Sequence, residues 1–309
     1  LSSINRTSWP VPGRGHGLTR RGETGGWQTG WVVLVFILSA CAGSPPQPGP
    51  GLAADAVTAN DQGYHHYARG DLDLAREKFA QALRLNRLID RRSGIAANLN
   101  NLGAIAQERG DLDVAARHYA EALDLQREAG DVPEIIKSLN NQGRLHLARH
   151  DLASAALAFD EAEALARNLP PGPLLPLCLM HQGDLARARQ DYDAAAMLYQ
   201  QALDLDLARK DRAGAARRRA RQGKLALALG DYGQSETLFQ AALEEFRRTE
   251  DVRGVIQTLD GLTRTALAAG DREAAADYGR RLLALYAALR QTREAADLTR
   301  LLQKSGLTP

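Results

Sequence analysis

From about residue 56 onward, apolar residues return at the three- and four-residue spacing of amphipathic helices. In the stretch 96–135, Leu99, Leu102 and Ala106 share one helical face, and Ala115, Tyr119 and Ala122 do the same in the following segment. No stretch shows the two-residue alternation of a strand. The pattern is also periodic. Gly70-Asp71, Gly110-Asp111, His150-Asp151, Gln190-Asp191, Gly230-Asp231 and Gly270-Asp271 recur every 40 residues without a slip. A Leu-Gly or Gln-Gly pair precedes each of the first five, at Gly63, Gly103, Gly143, Gly183 and Gly223. A small residue and an aromatic four positions on follow each: Ala75 and Phe79, Ala115 and Tyr119, Ala155 and Phe159, Ala195 and Tyr199, Ser235 and Phe239. Self-similarity at a fixed period of this length is the signature of a repeat architecture.

The recurring residue types have a common physical reason. Gly103 and Ala115 are small where two helices must approach closely, and Tyr119 fills the space beside them, so each repeat predicts a helical hairpin. The Gly-Asp between the two helices supplies a left-handed stop and then an N-cap. A single hairpin leaves most of its apolar surface exposed, so neighbouring hairpins must stack.

This arrangement resembles the tetratricopeptide-repeat (TPR) family over about residues 56–290. The resemblance implies an all-α, right-handed α-solenoid of about six helical hairpins with a C-terminal capping helix. The period departs from the family's usual ~34 residues and is like that of the longer-repeat subclass of kinesin light chains and LGN-type scaffolds. The sixth repeat departs further, with Thr263 where glycine is expected and Gly279 where an aromatic is expected, and together with 292–304 it reads as the cap. Leu169-Pro-Pro-Gly-Pro-Leu-Leu-Pro176 joins the third and fourth repeats without changing the register. It reads as a stiff turn or as a hinge.

Ahead of the repeats the chain changes character. Trp31–Leu38 is an unbroken apolar run, preceded by Arg20 and Arg21 and followed by Ser39 and Ala40. That is the layout of a secretory signal peptide over residues 1–40, and it falls short of the ~20 residues that cross a bilayer. Leu38-Ser39-Ala40-Cys41 resembles a bacterial lipobox, which implies cleavage before Cys41 and acylation of that residue. Ala42, in place of Asp, resembles the pattern exported to the outer membrane of Gram-negative bacteria. Residues 41–55, rich in proline and glycine at their start, read as a tether, and 56–309 as the solenoid with its cap. Leu1 and the long glycine-rich stretch before Trp31 suggest a translation start nearer Leu18.

Composition excludes several classes. With 44% hydrophobic and 25% charged residues the 309-residue chain is neither a polytopic membrane protein nor a wholly disordered one. Beyond residue 41 thirty-five bases meet thirty-six acids, so bulk charge gives no case for nucleic acid. The two cysteines, Cys41 and Cys178, cannot make a disulfide framework. His146 and His150 stand at i and i+4, yet no glutamate follows His146 and the zinc-protease pattern fails. His65 and His66 read as packing or N-terminal cap residues, His181 as a surface or groove residue, and Cys178 as a buried structural thiol. No catalytic constellation, no metal site and no cofactor beyond a covalent lipid on Cys41 emerges.

Recognition has a better candidate. By resemblance, the first helix of each hairpin lines the concave face. Carried onto this chain, its positions include Lys137, Asn140, Arg144, Asp184, Arg187, Arg217, Lys224, Asp260 and Arg264, six bases against two acids. Arg217, Arg221 and Lys224 share a face, and Asn100 and Asn140 repeat one position with donor and acceptor groups. Such a lining suits an acidic segment or a free C-terminal carboxylate; alternatively, Arg217–Arg219 form a solvated charge run. The expectation is an outer-membrane lipoprotein facing the periplasm, a scaffold for a protein or peptide. An envelope hydrolase, or a cytoplasmic peptide-sensing regulator with an unprocessed N-terminus, are the alternatives.

Overall fold

A computed structural model describes residues 51–307; the expected signal peptide at 1–40, and Cys41 with the expected tether up to residue 50, lie outside the described residues. Within them the amphipathic pattern forms thirteen helices: α1 (Leu52–Ala68), α2 (Leu72–Leu88), α3 (Arg92–Arg109), α4 (Leu112–Ala129), α5 (Val132–Ala148), α6 (Leu152–Arg167), α7 (Leu174–Ala188), α8 (Tyr192–Ala208), α9 (Arg212–Leu229), α10 (Tyr232–Arg248), α11 (Val252–Ala269), α12 (Arg272–Ala288) and α13 (Thr292–Lys304). They are six hairpins and a last helix, an all-α repeat solenoid. Helix α1 starts four residues before the boundary expected at 56. Gly51 is its N-cap, Leu52-Ala53-Ala54 are good helix formers, and Asp55 lies in the first turn, where an acid complements the helix dipole.

The turns repeat as faithfully as the sequence. Gly70, Gly110, Gly230 and Gly270 hold φ between 77° and 85°, and His150 and Gln190 occupy the same left-handed site at 60° and 64°. His150 therefore sits in a turn past the end of α5 and does not share a helical face with His146. Asp151, Asp191, Asp231 and Asp271 then accept from the backbone N–H three residues on, at 3.0–3.1 Å, satisfying one of the free donors of each helix start.

Inside each hairpin the glycine and the aromatic interlock. A Cβ on Gly103 would stand 2.6 Å from the ring of Tyr119, and one on Gly183 2.5 Å from that of Tyr199. In the sixth hairpin the roles invert: Thr263 takes the glycine position, and Leu302 of α13 moves over Gly279, where the missing aromatic would be. Leu298 and Leu302 are buried there, so α13 covers the open end of the stack. The proline segment 168–173 replaces one turn between α6 and α7 and leaves the stacking of those helices intact.

Successive odd-numbered helices pack on one another, α3 on α5, α5 on α7, α7 on α9 and α9 on α11. The even-numbered helices do not pack closely among themselves; they meet through long side chains, as where Tyr278 of α12 donates to Glu236 of α10 at 3.1 Å. Elements that crowd on one side and splay on the other curve the stack, with the odd helices on its inner face.

Candidate functional site

The inner face divides into two chemically distinct parts. The first, on α1, α3 and α5, is a cavity of about 480 Å³ rich in side-chain amides. Asn98 donates to Asn60 at 2.8 Å and accepts from Asn86 at 2.8 Å, while Asn101 accepts from Tyr64 at 3.2 Å. Asn141 and Lys137 complete the wall. Lys137 is ion-paired with Glu134, one turn before it.

The second part, on α5, α7 and α9, is a cavity of about 430 Å³ lined by Arg187, Arg221, Lys224 and Asp184, with Leu147 and His150 at its edge. Asp184 is its organising residue. Its carboxylate accepts from the Tyr199 hydroxyl at 2.8 Å and pairs with Arg221 Nε at 3.0 Å, and His181 Nδ1 stands 3.6 Å away. Burial would raise the Asp184 carboxyl, but Arg221, His181 and Tyr199 hold it well below the usual carboxylate range. One acid thus neutralises Arg221. Arg187 and Lys224 have no ion pair among the described residues, and the buried Nε of Arg187 has no hydrogen-bond partner. Burial pushes the Lys224 ammonium down, and Arg221 beside it does the same; an arriving anion would relieve both effects. Arg144, half-buried on α5, donates to Asn141 Oδ1 at 3.4 Å and has no ion pair among the described residues. The surplus positive charge of this second cavity therefore lies at Arg187 and Lys224.

The other expected groove residues go elsewhere. Asn140 is 2% exposed and donates to Ile136 O and to Cys178 Sγ, while Asn100, 7% exposed, donates to Ser138 Oγ at 2.7 Å. Asn140 fills the seam between consecutive odd helices, Asn100 lies at the base of the first cavity bridging α3 to α5, and one residue further on, Asn101 and Asn141 face the cavity. The paired Asn-Asn in the sequence marked the place, but one residue is 100° of helix rotation and decides which amide is the more exposed to the cavity. Arg217 is exposed and stands 3.9 Å from Asp251, and Arg264 is paired with Asp260 at 2.8 Å. Neither lines a cavity with the other cations. The run Arg217–Arg219 is not uniformly solvated, because Arg218 is buried.

His181 is interior, stacked on Phe159 with ring centroids 5.5 Å apart, and burial pushes its pKa down to about 4. It is a neutral packing residue, not a surface one. Cys178 is fully buried, and burial pushes its thiol up to about 11. His66 and His146 each face the N-cap aspartate of the following helix, at 3.5 Å and 3.4 Å.

Comparison with known proteins agrees with this geometry. The tetratricopeptide-repeat family profile matches residues 54–128, 94–168 and 211–288. No curated protein sequence matches the chain. Among solved structures, the chain is similar to a Rap protein complexed with Competence and Sporulation Factor, with a TM-score of 0.65 at 13% identity over 82% of this chain and 75% of that one. It is similar to aspartyl phosphate phosphatase F from Bacillus subtilis, with 0.57 at 12% over 82% and 70%. It is also similar to BtubC from P. vanneervenii, with 0.51 at 19% over 78% and 93%. At these identities the likeness is one of fold.

Proposed function

The chain belongs to the tetratricopeptide-repeat family, and from that premise we propose that it is a non-catalytic scaffold which holds an extended, acidic protein segment in its inner groove. The observation that carries this reading is the pair of cations, Arg187 and Lys224, that face the groove without an ion pair among the described residues. Side-chain amides such as Asn101 and Asn141 offer both a donor and an acceptor to a peptide backbone, and the cations beyond them suit carboxylates or a free C-terminus.

The sequence ahead of the solenoid adds an address to this proposal. A lipidated Cys41 and the tether after it would hold the groove a few nanometres from an outer membrane, facing the periplasm, and more than one acyl chain gives stable anchoring. The partner is then an envelope protein. A photocrosslinking residue at Lys224, introduced in cells, tests the reading. One dominant envelope protein is expected in the crosslink, lost when Arg144 and Arg187 are reversed in charge. Capture that ignores those reversals would overturn it. Replacing Cys41 with serine tests the anchor separately, through loss of acyl labelling and of membrane retention.

A further inference from the structure

Three residues break the repeat pattern in ways that neither stacking nor the groove accounts for. Glu108 stands where the other five hairpins have alanine, at 68, 148, 188, 228 and 268. Tyr67 is the one aromatic at its position, which holds Gln107, Leu147, Arg187, Leu227 and Leu267 elsewhere. Arg253 falls where the earlier repeats have Ser93, Pro133, Pro173 and Ala213. The three lie on α1, α3 and α11, as many as 186 residues apart, and they meet. The Arg253 guanidinium lies 4.1 Å from the centre of the Tyr67 ring, donates to Tyr67 O at 3.4 Å and pairs with Glu108, which also accepts from the Tyr67 hydroxyl. Beside them, Gln291 Nε2 donates to Gly70 O at 3.2 Å. Gln291 is the N-cap of α13, and its side chain makes no cap hydrogen bond, which leaves its amide free for this contact.

We infer that these contacts are a built seam which closes the solenoid on itself, fastening the starts of α11 and α13 onto the ends of α1 and α3 after one turn. The chemistry is that of a specific junction. A guanidinium between a ring face and a carboxylate makes a cation–π contact and a charge-assisted hydrogen bond at once, and the Arg253 and Glu108 side chains are only 26% and 24% exposed. Exceptions to a repeat that fall at separate places in the chain and converge in space have a common cause in that contact. The consequence for recognition rests on the reading of the groove given above: a groove closed around its circumference admits an extended segment and excludes a folded domain, unless the seam opens. The seam itself does not depend on that reading.

Spin labels at the exposed positions Arg69→Cys and Arg293→Cys, in the full chain carrying Cys41→Ser, report closure directly, the buried Cys178 being left in place. A narrow, short distance population is expected. It should be lost on Glu108→Arg or Arg253→Glu, and regained when both are present, since the swap restores the ion pair. Far-UV circular dichroism of each variant checks that helicity is kept. A long or broad distribution in the unaltered seam would overturn the inference, as would a short population that neither charge reversal disturbs. Because no partner is used, the outcome is independent of whether the groove binds an acidic segment.

Discussion

Asp206, near the end of α8, and Arg218, in α9, face each other at 3.2 Å in the interior of the stack, 1% and 4% exposed. They occupy a position pair that every junction between hairpins possesses and fills differently. Asn86 donates to Asn98 at 2.8 Å, Ser138 to Gln126 at 2.5 Å, Ala166 stands with Cys178, and Phe246 with Thr258. The fold fixes the contact and leaves its chemistry open, provided that the two residues match. Burial pushes the Asp206 carboxyl up and the Arg218 guanidinium down, each against the attraction of the other, so the charge pair is held by geometry and not by solvent.

Removing one partner should therefore be far worse than removing both. Arg218→Ala, which leaves the buried Asp206 carboxylate only its 3.5 Å pair with the partly exposed Arg209, is expected to cost up to ~3–5 kcal/mol. The double change Asp206→Asn with Arg218→Asn copies the first junction, and Gly214 keeps the space there that Gly94 keeps beside Asn86. It should return to within about 1 kcal/mol of the parent. Urea unfolding midpoints read both, and equal losses would contradict the matched-pair account.

The glycine–aromatic interlock gives a graded expectation. A Cβ on Gly223 would meet the Phe239 ring at 3.1 Å, which a small ring shift can absorb, whereas one on Gly143 would intrude much further on Phe159. Gly143→Ala should cost ~1–3 kcal/mol by overpacking, and Gly223→Ala clearly less. Thermal melts of the two variants compare them, and the reverse order would show that ring contact does not set the spacing of the hairpins.

His181 makes stability depend on acidity. Burial lowers its pKa from 6.5 to about 4; Asp184 opposes the shift, while Arg144 and Arg221 add to it. The unfolded chain takes up this proton near pH 6.5 and the folded chain only near pH 4, so between those values the unfolded state holds more protons. The contribution is whole above pH 6.5 and is lost as the pH falls through that window, to the extent of ~3 kcal/mol. His181→Asn, which copies Asn101 and Asn141 at the same repeat position, should flatten the fall in melting temperature between pH 6.5 and 4. An unchanged slope would mean that His181 is not held neutral.

Periodicity made the hairpins legible because the glycine, the aromatic and the turn aspartate each answer a constraint that recurs in every repeat. The alternation between Gly70 and His150 at one left-handed site did not hide it, since an aspartate stands at the N-cap position after each, although only Asp151 and not Asp71 accepts a cap hydrogen bond. The groove was less legible. Lys137, Arg187, Arg221 and Lys224 line the two cavities and Arg144 lines neither, but sequence spacing does not show that Asp184 cancels Arg221 or that Asp260 holds Arg264. The choice between Asn140 and Asn141 turned on the rotation of one residue about α5. Tyr67, Glu108 and Arg253 carry a signal that could have been found, as exceptions within their repeat columns, but only the folded chain brings them together.

The groove is tested most directly by the equilibrium binding of a fluorescent glutamate-rich peptide with a free C-terminus, at physiological salt. Saturable binding is expected, weakened about tenfold or more when Arg187 and Lys224 are both changed to glutamate, and weakened further as salt rises. Absence of saturable binding, or an affinity that the two reversals leave unchanged, would contradict the proposal that the unpaired cations of α7 and α9 receive the partner.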